Sequence, residues 1–215
     1  MKTLFACFAI FSFLSGCASF QVAGQVRAGR QALLVNDSEQ ALAYFKQAAQ
    51  LNPDYIVTSV SFRQGIWSYV GRAQYNTGRL AEARKSLERA LSTYGDDYLA
   101  RLYLGLTLAR TGERSRGAGE IERAMRGLND WLEYVIHNTL YGYFWDPNRE
   151  IRSEIQRSLA LISGREVDWQ TLIASGEWVG HKMEDEIDRV RQDESRHFRE
   201  RDLGTRSGVF LGIGF

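Results

Sequence analysis

The sequence predicts an all-α solenoid of stacked helix–turn–helix pairs with a C-terminal capping helix. Three observations carry this. Three successive segments repeat one pattern. Only two prolines, Pro53 and Pro147, interrupt 215 residues. Each repeat also places small residues at fixed offsets, where two helices need to approach closely.

The segments are RAGRQALLVNDSEQALAYFKQAAQLNPDY, YVGRAQYNTGRLAEARKSLERALSTYGDD and YLGLTLARTGERSRGAGEIERAMRGLNDW. Each has a glycine in its first helix (Gly29, Gly71, Gly105) and a turn seven residues later, at Asn36-Asp37, Gly78 and Gly112. Each second helix carries a small, large, small trio: Ala41, Phe45 and Ala48; Ala83, Leu87 and Ala90; Gly117, Ile121 and Ala124. A single pair cannot bury its apolar face, so the pairs stack. This pattern resembles the tetratricopeptide repeat, a 34-residue helix–turn–helix unit, and implies a TPR-like α-solenoid over residues 22–128. Gly71 and Gly105 are 34 residues apart, whereas Gly29 and Gly71 are 42 apart. The eight extra residues read as a longer first helix in the second repeat, from about Asp54 to Asn76.

Beyond Leu128 the pattern weakens. Residues 129–164 read as a divergent helical pair broken at Pro147, with Asp146 or Asn148 as the cap of its second helix. Residues 165–203 read as a long helix capping the open end of the stack, with Gly176 and Gly180 as irregularities. From Lys182 to Asp202, fourteen of twenty-one residues are charged, which reads as a solvated face laced with ion pairs such as Asp188–Arg191. Residues 204–215, GTRSGVFLGIGF, form an apolar, glycine-rich tail without helical periodicity.

The N-terminus carries a different signal. Lys2 precedes an apolar run from Leu4 to Leu14, too short to span a bilayer, which needs about 20 residues, but of signal-peptide length. It ends in Leu14-Ser15-Gly16-Cys17, which resembles the lipobox of bacterial lipoproteins. The resemblance implies cleavage of residues 1–16, lipidation (palmitate included) of Cys17, a short linker over 17–21, and membrane attachment through the lipid. Ala18 after the cysteine implies, by the same resemblance, the outer membrane, periplasmic side. Cys7 would leave with the signal, so the mature chain would hold no disulfide.

Chemistry is sparse. Loss of Lys2 leaves 26 basic against 26 acidic residues, without the basic excess of a nucleic-acid binder. Nucleophile-elbow, phosphate-loop and dinucleotide motifs are missing. Glu194-x-x-His197 has a di-iron spacing that such sites use twice; here it occurs once. The sequence therefore predicts no enzyme, no metal and no cofactor. The remaining functional surface is the groove that the family's first helices line. The family register places Arg30, Arg72, Tyr75, Asn76, Leu106 and Arg110 there. Asn76 resembles the asparagine that clamps a terminal carboxylate in some members. The expected role is a protein–protein interaction scaffold or assembly factor for an envelope complex, binding a peptide or helix of an envelope protein partner. The alternative is a small-ligand or lipid carrier with a pocket rimmed by Tyr143, Trp145 and Trp178.

Overall fold

Three turns of the same construction set the architecture. The structure, a computed structural model, describes residues 20–209, with side chains through residue 199. Helix α1 (20–34) is followed by α2 (Ser38–Leu51), α3 (Ile66–Asn76) by α4 (Leu80–Thr93), and α5 (Tyr98–Arg110) by α6 (Arg114–Asn138). Each pair is joined through one residue in the left-handed region: Asn36 (φ 61°), Gly78 (φ 77°) and Gly112 (φ 96°). The amide of the next residue reaches back to the carbonyl five before it, Asp37 to Ala32 at 2.9 Å, Arg79 to Gln74 at 2.8 Å and Glu113 to Leu108 at 2.9 Å. This is the Schellman closure of a helix end. It explains why glycine or asparagine recurs seven residues after the conserved-offset glycine of each repeat.

Those first-helix glycines act by absence. A Cβ on Gly29 would lie 2.5 Å from the Phe45 ring, one on Gly71 2.5 Å from Leu87 Cγ, and one on Gly105 2.7 Å from the backbone nitrogen of Ile121. In each repeat the glycine receives the large residue sixteen positions later, flanked by buried small ones. The all-α, TPR-like fold expected from the repeats is the fold observed.

Two parts of the expected organisation are corrected. The eight extra residues of the second repeat are not helical. They form an antiparallel hairpin, β1 (Ile56–Ser59) and β2 (Phe62–Gly65), in register from Ile56 opposite Gly65 to Ser59 opposite Phe62. The β-branched run Ile56-Val57-Thr58 favours extended backbone, and Val60 makes the turn at φ 57°. The hairpin links the two parts of the core. Val57 packs into the cluster around Phe45 and Tyr69, while Phe62 packs into the cluster around Leu87, Leu106 and Ile121. Second, the boundary at residue 128 falls inside a helix. The continuous α6 bears Ile121, Ala124, Leu128, Leu132 and Val135 as one buried stripe, so the divergent segment begins without a turn. A 3-10 turn (Gly142–Phe144) then leads to α7 (Glu150–Ile162) and α8 (Trp169–Val209). Asp146, rather than Asn148, caps α7, accepting from the amides of Ile151 (3.0 Å) and Arg152 (3.2 Å).

Asp97 fastens the hairpin to α5. Its carboxylate accepts from the amides of Gly65 (2.8 Å) and Ala100 (2.9 Å) and from the Ser68 hydroxyl (3.1 Å). Burial pushes its pKa up to about 6 despite these bonds.

Two predictions follow from this packing. Gly105→Ala, aimed at backbone, lowers stability by about 1–3 kcal/mol through overpacking. Gly119→Ala in α6, where a Cβ meets nothing within 4 Å, gains up to about 1 kcal/mol of helix propensity; urea titration separates the two. Asp97 is the reverse of a usual acid, because its folded pKa lies above its unfolded one. Its contribution is full below the ordinary carboxylate range and is lost as pH rises through about 6. Asp97→Asn therefore removes a decline in melting temperature between about pH 4 and 6.

Candidate functional site

The face built by the first helices of the three repeats is covered by α8. Asp168 starts this helix, its carboxylate accepting from the Thr171 amide at 3.1 Å. Leu172, Val179, Met183, Ile187 and Val190 then recur at helical spacing and are completely buried. Gly176 and Gly180, expected as irregularities, are points of close approach. A Cβ at Gly176 would lie 2.8 Å from Leu106, and one at Gly180 would lie 2.6 Å from the Tyr103 ring. So α8 does more than cap the end of the stack, where it packs on α7. It lies along α5, α3 and α1 in the groove expected to stay open.

The acidic run at its middle is likewise not a solvated face. Glu184 is 2% exposed, and it bridges two arginines. One oxygen takes the Arg72 guanidinium, itself 3% exposed, at 3.1 Å; the other is bonded by Arg30 Nε. Arg72 also donates to Gln64 Oε1 at 3.0 Å and lies over the rings of Tyr69 and Tyr103. Arg30 donates to Ser59 of the hairpin at 3.2 Å. Burial alone would raise the Glu184 pKa, yet the two arginines hold it below the ordinary glutamate value. Burial acts the same way against both guanidinium charges, and Glu184 overcomes it. Arg30, Arg72 and Leu106, expected as partner contacts, are therefore engaged within the chain. Glu186 is also buried. It bonds the Asp146 amide, while Asp146 pairs with Arg152 at 2.9 Å, fixing the loop before α7 to α8.

The other three groove residues stand where α8 leaves a gap. Tyr75, Asn76 and Arg110 line a cavity of about 480 Å³ together with Asn36, Tyr103, Glu177, Trp178 and others. The Tyr75 hydroxyl donates to Glu177; burial first, and this bond second, hold its pKa above the ordinary range. Arg110 lies over the Tyr75 ring, 4.9 Å from its centroid, and 3.7 Å from Glu177. Asn76 is exposed, and Trp178 presents an indole face 6.0 Å from Lys182 Nζ. The arrangement offers an indole face, the amides of Asn36 and Asn76, and the Arg110 guanidinium beside the Glu177 carboxylate.

The pocket proposed for a small ligand is not assembled. Trp145 is buried edge-on against Trp131 at 4.8 Å, Tyr143 lies on the exposed 3-10 turn, and Trp178 belongs to the cavity above. His197 packs against Tyr141 and Phe144. Among the described residues, no group of three His, Cys, Asp or Glu is placed to hold a metal. Cys17, the segment expected as a signal peptide and residues 210–215 lie outside the described residues. Sequence reasoning missed Glu177 and Glu184. The signal was Gly176-x-x-x-Gly180 in phase with Met183 and Ile187, a smooth face that a helix needs only against another.

Residues 32–55, from the end of α1 through α2, match the tetratricopeptide repeat family. No curated protein and no solved structure matches the chain.

Removing the bridging charge tests this site. Glu184→Gln leaves two buried guanidinium groups without a counter-ion and costs about 3–5 kcal/mol. Because the folded pKa of Glu184 is depressed, its contribution is present above the ordinary carboxylate range and is lost as pH falls below it. The wild-type protein therefore loses stability on acidification more steeply than the variant, measurable as melting temperature against pH.

Proposed function

We propose that this tetratricopeptide-repeat chain is a scaffold for protein–protein interaction, tethered by lipid on Cys17 to the periplasmic side of the outer membrane. It would hold a peptide segment of an envelope partner at the cavity of Tyr75, Asn76 and Arg110. The observation that carries the binding reading is the contrast along one face. The stretch around Arg30, Arg72 and Leu106 is closed by α8, while the stretch around Asn76 is open, amide-rich and walled by Trp178. Tethering raises the effective concentration of such a site near other envelope proteins. The reading assigns the protein no chemical step. The lipobox resemblance at Leu14-Ser15-Gly16-Cys17 supports the anchor. Among the described residues no helix is long and apolar enough to cross a membrane.

Two measurements check this. A photoreactive residue at exposed Asn76 gives a discrete protein adduct in the native cell, whereas one at Glu88 on α4 does not; equal labelling would remove the docking site. Radiolabelled palmitate is incorporated into the full chain and not into Cys17→Ser; an unlabelled wild type would remove the anchor.

A further inference from the structure

The bridge at Glu184 carries more positive charge than it neutralises. Two guanidinium groups, Arg30 and Arg72, share one carboxylate. Arg30 also has bonding capacity left over. Its Nε bonds Glu184 and its Nη1 donates to Ser59 Oγ at 3.2 Å, but its Nη2 is sealed from solvent and has no acceptor among the described residues. A buried donor without an acceptor is costly, and folded proteins leave few of them unmet. Arg30 and Ser59 both line a cavity of about 160 Å³ between α1, β1 and α8. A water needs about 10–15 Å³ of such space, so the cavity has room for one small ligand and not for a length of chain.

Donors come from three sides. Arg27 and Arg30 belong to α1, Arg191 to α8, and Thr58 and Ser59 to β1. The strand adds a backbone donor. Bonded pairs alternate along an antiparallel ladder. Tyr55 accepts from the Ile66 amide at 2.9 Å, so Val57 and Ser59 bond across to β2, and Thr58 turns its N–H to the outer edge. The cavity is lined from β1 and by no residue of β2, which puts it on that edge. One carboxylate opposes an anion there. Asp188 lines the cavity, but its oxygens accept from Arg191 at 2.6 Å and Gln192 at 2.7 Å. Around cavity and bridge, four guanidinium groups meet the carboxylates of Glu184 and Asp188, an excess of two positive charges. A phosphate monoester carries about −1.5 to −2 at neutral pH and accepts through three oxygens, whereas a carboxylate fills a single planar fork.

We infer that this cavity binds the phosphate group of a small ligand, held by Arg27, Arg30 and Arg191 with the Thr58 amide and the Ser59 hydroxyl. The site shares no residue with the cavity at Tyr75 and needs no lipid on Cys17. A ligand there ties α1, the hairpin and α8 together, so binding stabilises the closed inner face.

The test is calorimetric titration of the full chain with inorganic phosphate and with glycerol 3-phosphate, at an ionic strength matched with chloride. Each binds saturably, one per chain. Substitutions on two sides of the cavity then move the affinity in opposite directions. Arg27→Gln, at an exposed position, weakens binding at least about tenfold through loss of a charge-assisted contact. Asp188→Asn, which removes the opposing charge, tightens it. Arg126→Gln, an exposed arginine of α6 paired with Glu122, leaves it unchanged; a general effect of salt would treat all three alike. Competition separates the sources of the phosphate. Vesicles of phosphatidylglycerol that displace bound glycerol 3-phosphate assign the site to a lipid headgroup, and vesicles that leave it bound assign a soluble ligand; either result supports the site. Equal affinity in the wild type, Arg27→Gln and Asp188→Asn, or no saturable binding of either soluble probe, overturns it.

Discussion

Everything on the inner face of this solenoid is arranged around one carboxylate that would be costly anywhere else in the core. Glu184 sits 154 residues from Arg30 and 112 from Arg72, and holds both. An isolated carboxylate at that depth would be neutralised, and an isolated guanidinium would seek solvent. Together they become a bridge whose third side is the hairpin, through Ser59 and Gln64. Apolar helices can slide along one another, but three charges with fixed forks cannot. The bridge sets the register of α8 against α1 and α3, and Gly176 and Gly180 set its distance from α5.

The fold was legible where one position has one physical solution. A glycine under Phe45, Leu87 or Ile121, and a left-handed residue seven positions on, are demanded by backbone geometry, so their spacing showed the pairing of helices directly. The hairpin was not legible in that way. Ile56 to Gly65 interrupts a helical register with a length that two more helical turns also satisfy, and only the β-branched run spoke for strands. Its turn residue, Val60, hides the signal further, since valine is a poor occupant of a left-handed turn.

The site was half legible. The family register brought Arg30, Arg72, Tyr75, Asn76, Leu106 and Arg110 to one face, but nothing local in those residues says whether a partner or the chain itself covers them. The answer lay in α8, where a dense run of charge reads as solvated. The buried members, Glu184 and Glu186, differ from half-buried Asp185 only in helical phase. Charge density is a property of the stretch, while burial is a property of each position.

A stack of repeats joined only to its neighbours unfolds piecemeal, because each interface can be lost by itself. Here α8 touches elements from the first repeat through α7. Contacts across 154 residues make the outer repeats answer to each other, so the array behaves as one cooperative unit in place of a chain of semi-independent ones. The order of assembly is constrained as well. The first two repeats can form their own helices early, but Arg30 and Arg72 have no counter-ion until residue 184 has emerged. A nascent chain up to α7 therefore carries an unfinished inner face, and folding closes in a final, long-range step.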